Sequence, residues 1–202
     1  MKNTVEECLK NKKTANFSFD ADNTDKFRTG YVCAYNDEYI IIASMSKRGL
    51  YDGFILYKMQ DLFQIDTDNE YSKKIHRLYD LKNQKHPDFP ESDGDPLKTL
   101  LNFASEKKYV VSLCLEDSYV CGYIKDFDDI HISVDVIDDY GKADGSTVVK
   151  ISEIKNIFCD SYLEQDAKLL YEAKNRINGR TIKGIKAVGR SRGRKRRNTR
   201  KS

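Results

Sequence analysis

The stretch from Gly30 to Ile65 aligns without a gap with the stretch from Gly122 to Ile157, at a constant offset of 92 residues. Gly30, Tyr31, Gly49, Asp52, Gly53 and Lys58 meet Gly122, Tyr123, Gly141, Asp144, Gly145 and Lys150. Similar residues pair at the same offset: Val32 with Ile124, Tyr35 with Phe127, Leu62 with Ile154, and Ile65 with Ile157. Leu78-Tyr79 and Leu170-Tyr171 stay in phase beyond the aligned run. Glycines and apolar positions held in one register over that length read as a tandem duplication, so the fold is expected to be one unit used twice.

The second copy shows what the unit builds. Val111, Leu113 and Leu115 alternate with more polar neighbours, and Tyr119, Cys121, Tyr123 and Lys125 share one parity. Glu116-Asp117-Ser118 lies between them as a turn, which makes a hairpin. Ile130 to Ile137 alternates as a third strand, Asp138 to Gly145 is a polar loop punctuated by glycine, Ser146 to Ile151 is a fourth strand, and Ile154 to Phe158 a short fifth. Five short antiparallel strands point to a small closed barrel, because closure removes exposed edges. Asp52-Gly53 and Asp144-Gly145 read as tight turns entering the fourth strand.

Helical periodicity flanks both barrels. Pro96 to Lys107 starts with proline at a helix N-terminus and places Leu97, Leu100 and Leu101 on one face. Val5, Cys8 and Leu9 are its counterpart before the first barrel. Glu70 to Leu81 and Tyr162 to Arg176 repeat the apolar spacing after each barrel. Lys82 to Asp95 has two prolines, a glycine and no periodicity, and reads as a linker. The expected organisation is a first unit over 1–81, a linker over 82–95, a second unit over 96–177 and a tail over 178–202.

A short helix followed by five strongly bent strands resembles the Sm-like barrel family, which includes the Hfq-like RNA chaperones. The family's first motif is a glycine, an apolar residue two further on, an apolar or aromatic residue, an aspartate and then an apolar strand. Gly122, Ile124, Phe127, Asp128 and Ile130 follow it, and Gly30, Val32, Tyr35 and Asn36 follow it with asparagine for aspartate. The glycine lets a strand bend between the halves of a barrel, and the aspartate or asparagine supplies a turn acceptor. The second motif departs from the pattern. Where Hfq-like proteins carry Tyr-Lys-His for uridine-rich RNA, this chain has Tyr57-Lys58-Met59 and Val149-Lys150-Ile151, and the Arg-Gly equivalent of other members is missing. The resemblance implies two tandem five-stranded barrels in a mostly β protein with flanking helices, with RNA preferred to DNA.

Charge supplies the strongest functional signal. Residues 176–202 hold twelve of the 35 Lys and Arg residues and no Asp or Glu. That leaves 23 basic against 32 acidic residues in the rest, so a net charge of +3 divides into a body of −9 and a segment of +12. The tail is too polar and glycine-rich to bury a core and is expected to be disordered. Its cations, Arg180, Lys183, Lys186, Arg190, Arg192, Arg194, Lys195, Arg196, Arg197, Arg200 and Lys201, each neutralise a phosphate and release a counterion. Lys58, Lys150, Tyr35 and Phe127 are the barrel positions suited to nucleic-acid contact: the lysines as phosphate partners or edge gatekeepers, the aromatic rings as stacking faces or core.

Other chemistry finds no support in the sequence. There is no Walker loop, no G-x-G-x-x-G and no G-x-S-x-G, and His76, His86 and His131 have no nucleophile beside them and read as surface residues. No enzymatic activity and no cofactor are expected. Asp126, Asp128, Asp129, Asp135, Asp138 and Asp139 cluster without metal-ligand spacing, and the five cysteines lack any C-x-x-C, so no metal site is expected. Thiols without a pairing pattern, an N-terminus mixing charges where a signal peptide is apolar, and no apolar run near twenty residues suggest a cytoplasmic protein with no membrane partner.

The functional expectation is a non-enzymatic nucleic-acid-binding protein in which the tail supplies phosphate affinity and the barrels supply partner contacts or weak selectivity. A ribosome, a protein partner or further copies of the chain are the additional partners the sequence leaves open. The alternative is a protein-interaction adaptor whose acidic barrels dock a basic partner or the chain's own tail.

Overall fold

Local chemistry sets the element boundaries. The computed structural model describes residues 1–23, 26–92 and 94–189, with side chains described outside 177–189. Helix α1 spans Lys2–Lys10 and is followed by β1 (Ala15–Ser18), β2 (Phe27–Tyr35), β3 (Tyr39–Met45), β4 (Tyr51–Lys58), β5 (Gln64–Thr67) and helix α2 (Glu70–Leu81). The second half runs α3 (Pro96–Lys107), β6 (Val110–Cys114), β7 (Tyr119–Phe127), β8 (His131–Ile137), β9 (Ala143–Lys150), β10 (Asn156–Cys159) and α4 (Tyr162–Gly189). Asn69 caps α2 by accepting from the Ser72 amide, and Asp95 caps α3 through the Lys98 amide with proline in the first turn.

The strands form one open antiparallel sheet of ten, in the order β5-β1-β2-β3-β4-β10-β6-β7-β8-β9. This corrects the expectation of two closed five-stranded barrels. Strand β4 pairs with β3 and, on its other side, with β10 of the second half, Phe54 opposite Cys159 and Tyr57 opposite Asn156. Strand β5 pairs with β1 alone among the described strands. The fourth strand of a unit therefore never meets its own fifth, and the pairing that would close a barrel joins the two halves instead.

Elements β2 to α4 of the two halves start 92 residues apart pairwise. The first strand matches at 96 instead: Ala15 faces Gly30 where Val111 faces Gly122. Eight residues connect β1 to β2 and four connect β6 to β7, which accounts for the difference. Gly30 and Gly122 are held to glycine by close approach, since a Cβ there would lie 2.1 Å from the carbonyl oxygens of Ala43 and Asp135.

The largest core joins the halves. Ile41, Phe54 and Leu56 of the first half and Leu113, Ile132 and Ile157 of the second pack around Leu100, Leu101 and Phe103 of α3. A second core lies under α1, where Val5 and Cys8 meet Ile40, Ile42 and Ile55. Strand β3 is buried on both faces because it feeds both cores, and so it reads as a continuous apolar run instead of an alternating one.

Four further expectations are revised. Asp52-Gly53 and Asp144-Gly145 are bulges inside β4 and β9, with glycine φ of 65° and 78°, and not turns. The turns into those strands are at Ser46–Gly49 and Asp138–Gly141. The segment 82–95 is anchored to the first half by His86, which is buried and not a surface residue, and by Phe89, which packs on the shared core. Helix α4 continues through Gly189 into the stretch expected to be disordered from 178. No proline interrupts it, and its three glycines each cost only about 1 kcal/mol of helix propensity. Lys58 lies on an interior strand, so the edge-gatekeeper role fits only Lys150 on the edge strand β9.

Candidate functional site

Strands β4 and β9 end on Lys58 and Lys150. Because the halves sit side by side in one sheet, the two lysines line the same groove, of about 550 Å³, where the β2–β3 turn of the first half and the β7–β8 turn of the second also arrive. The turns are built alike. The Asn36 side-chain oxygen accepts from the amides of Glu38 and Tyr39 at 2.8 and 2.7 Å. Asp128 accepts from the amides of Ile130 and His131 at 2.7 and 2.6 Å, which holds its carboxyl below the usual carboxylate range.

The electrostatics of the groove are mixed. The Lys58 ammonium donates to the Ser152 carbonyl across the junction at 3.2 Å. Asp37 pairs with Lys2 at 2.5 Å and Asp129 with Lys98 at 2.6 Å, and the second pairing raises the Lys98 pKa. Two of the three carboxylates around the groove are thus matched by lysines outside it, leaving Glu38 against Lys58 and Lys150. His131, at the start of β8, is exposed and its Nδ1 lies 3.6 Å from Asp128.

The aromatic candidates do not join the lysines. Tyr35 packs against the core under α1 and Phe127 against the shared core, so both serve packing more than stacking. Tyr39 does line the groove but is buried, and burial drives its phenol pKa up. The tail cations Arg190, Arg192, Arg194, Lys195, Arg196, Arg197, Arg200 and Lys201 lie outside the described residues, and the side chains of Arg180, Lys183 and Lys186 likewise. The aspartates of the acidic cluster disperse: Asp135 meets Lys125 and Ser146, Asp139 meets Tyr119, and Asp138 holds its own turn. Among the described residues, no group of three His, Cys, Asp or Glu converges as a metal site, and no helix is long and apolar enough to cross a membrane.

Sequence reasoning missed two buried polar sites. His86 bridges the halves of a hairpin: its Nε2–H is shared by the carbonyls of Ser44 and Gly53 at 3.0 and 3.1 Å, and its Nδ1 accepts from the Tyr79 hydroxyl at 2.7 Å. Both carbonyls only accept, so Nε2 carries the proton. The other is Glu164, 2 % exposed, whose carboxylate accepts from the hydroxyls of Ser112 and Ser161. Ser161-x-x-Glu164 before an apolar run is a capping-box signature and was visible in the sequence.

Comparison of the chain with family models, with characterised proteins and with solved structures gives no match.

Proposed function

We propose that this is a non-enzymatic, cytoplasmic RNA-binding protein related to the Sm-like family, whose C-terminal segment supplies phosphate affinity and whose sheet supplies the contacts that select. The observation that carries the reading is the division of charge: +12 over residues 176–202 against −9 over the rest. An acidic body repels a polyanion, so affinity has to come from the basic segment.

Each half, read as its own unit, has the order fifth-first-second-third-fourth, and the matched 92-residue spacing supports one unit duplicated in tandem. The same order supports self-association. Edge strand β9 stands to the second half as β4 stands to the first, and β5 stands to the first as β10 stands to the second. Pairing β9 of one copy with β5 of the next would repeat the β4–β10 junction between chains.

Deleting residues 177–202 tests the reading. Single-stranded RNA affinity at low salt is expected to fall at least tenfold, and an unchanged affinity contradicts it.

A further inference from the structure

A cavity of about 430 Å³ opens between the first turns of α4, the face of β6 and β7, and β4 of the first half. Tyr119, Tyr162, Leu163 and Leu170 line it while remaining between 46 % and 61 % exposed. Large apolar side chains gathered at one mouth mark a contact surface more often than chance exposure does.

The equivalent place in the first half is filled by the chain itself. There Tyr71 packs edge-on against Phe27 at 5.3 Å between ring centres, and Ile75 is fully buried. Ninety-two residues on stand Leu163, Tyr119 and Ala167. Ile75 becoming alanine removes three carbons from the floor, and Ser72, buried in α2, becomes Glu164.

Charge gives the cavity a sign. Glu164 lies in the floor, and Asp52, Asp138, Asp139 and Asp166 stand around it. Arg28 is the one cation among the described lining residues; its Nε donates to the Tyr57 hydroxyl at 3.1 Å, its guanidinium lies 5.2 Å over the Phe158 ring, and it stands alone against the five carboxylates. Apolar walls inside an anionic rim fit a segment in which aliphatic residues alternate with Arg and Lys.

This chain carries such a segment. Ile177, Ile182, Ile185 and Val188 are spaced among Arg180, Lys183, Lys186 and Arg190. We propose that the cavity docks the basic C-terminal segment, residues 177–202, of a second copy of this chain. The same copy is excluded by reach. Helix α4 walls the cavity as far as Leu170, and Ile177, Ile182, Ile185 and Val188 stand about 10 to 27 Å further along the same helix at about 1.5 Å per residue. The helix therefore carries those aliphatic positions away from the cavity that its own first turns line. Between two copies the exchange is reciprocal and closes as a dimer. It involves the segment that the RNA-binding reading also uses, so docking has to be read in the absence of RNA.

The test is fluorescence anisotropy of a labelled peptide of residues 177–202, added to the full chain at a chain concentration too dilute for self-association. Saturable binding is expected. It should weaken at least tenfold for D139K/D166K, whose side chains are exposed, and at least tenfold for a peptide with Ile182, Ile185 and Val188 changed to Ser at unchanged charge. Far-UV circular dichroism and thermal unfolding of the variant confirm that it is folded, and L163S/L170S gives a second, uncharged readout of the cavity wall. Absence of binding, equal binding of the native and serine peptides, or equal binding to the wild-type chain and both variants overturns the proposal. Each of those results leaves RNA affinity, measured separately, to stand or fall alone.

Discussion

The Asp52 carboxylate accepts a hydrogen bond from the Tyr162 amide at 3.2 Å, so a strand of the first half caps a helix of the second. Burial raises the Asp52 pKa, and this amide bond partly offsets that rise. Asp144, its counterpart 92 residues later, lies exposed on edge strand β9. Asp52→Ala is expected to destabilise the chain by about 1–2 kcal/mol, the range for losing a helix cap, and Asp144→Ala by less than about 0.5 kcal/mol. Urea unfolding of both variants checks the contrast, and equal effects would remove Asp52 from the junction.

Gly53 and Gly145 share a left-handed backbone and differ in what surrounds them. A Cβ on Gly53 would sit 2.3 Å from the Cys159 carbonyl and 2.5 Å from the Ser161 amide, whereas one on Gly145 meets no described atom within 4 Å. Gly145→Ala therefore meets only the backbone cost, about 1–2 kcal/mol. Gly53→Ala meets that cost and forces β4 away from the β10–α4 turn, with a loss expected to be at least twice as large by the same unfolding measurement.

His86 makes stability depend on pH in a defined direction. Burial lowers its pKa from 6.5 to about 4, and the bonds to the Gly53 and Ser44 carbonyls offset part of that. Between those values the unfolded chain binds a proton that the folded chain does not, so stability rises with pH across the window. The stabilisation is complete above about pH 6.5 and is lost as pH falls towards 4, by about 3 kcal/mol in all at about 1.4 kcal/mol per pH unit. His86→Gln is expected to be less stable at pH 7.5 but to lose less on acidification, as read by melting temperature at pH 7.5 and pH 5. A wild-type melting temperature that is flat across this window contradicts the assignment.

Lys58 and Lys150 share a groove with Glu38. K58A/K150A is expected to weaken RNA binding a few-fold for every sequence tested, without changing base preference, because an ammonium contacts phosphate and not a base edge. Anisotropy with several single-stranded RNAs checks it. A change confined to one sequence would mean that the groove reads bases.

The sequence shows local structure better than it shows which edges meet. Glu70–Leu81 and Pro96–Lys107 are legible to the residue, because Asn69 and Asp95 cap them and their apolar spacing is strict. The hairpin turn at Glu116–Ser118 is legible for similar reasons. Barrel closure is not. Whether β4 bonds to its own fifth strand or to β10 turns on contacts about a hundred residues apart, as between Phe54 and Cys159, which the local pattern does not mark. The His86 site was hidden because Ser44, Gly53 and Tyr79 come to it from three separate elements, and the proline-flanked segment carrying it has no periodicity. The pairing of Lys58 with Lys150 was half legible: the repeat singled out both, but only the continuous sheet puts them in one groove.

Salt dependence tests the central claim most directly. Each phosphate contact to a single strand contributes about −0.7 to the slope of log affinity against log salt. If half of the twelve cations in 176–202 engage RNA, the full chain should show a slope of about −4. A chain ending at Arg176 should show a slope shallower than about −2 and at least tenfold weaker binding at low salt. Equal slopes for the two chains would contradict the account and place the RNA contacts on the sheet.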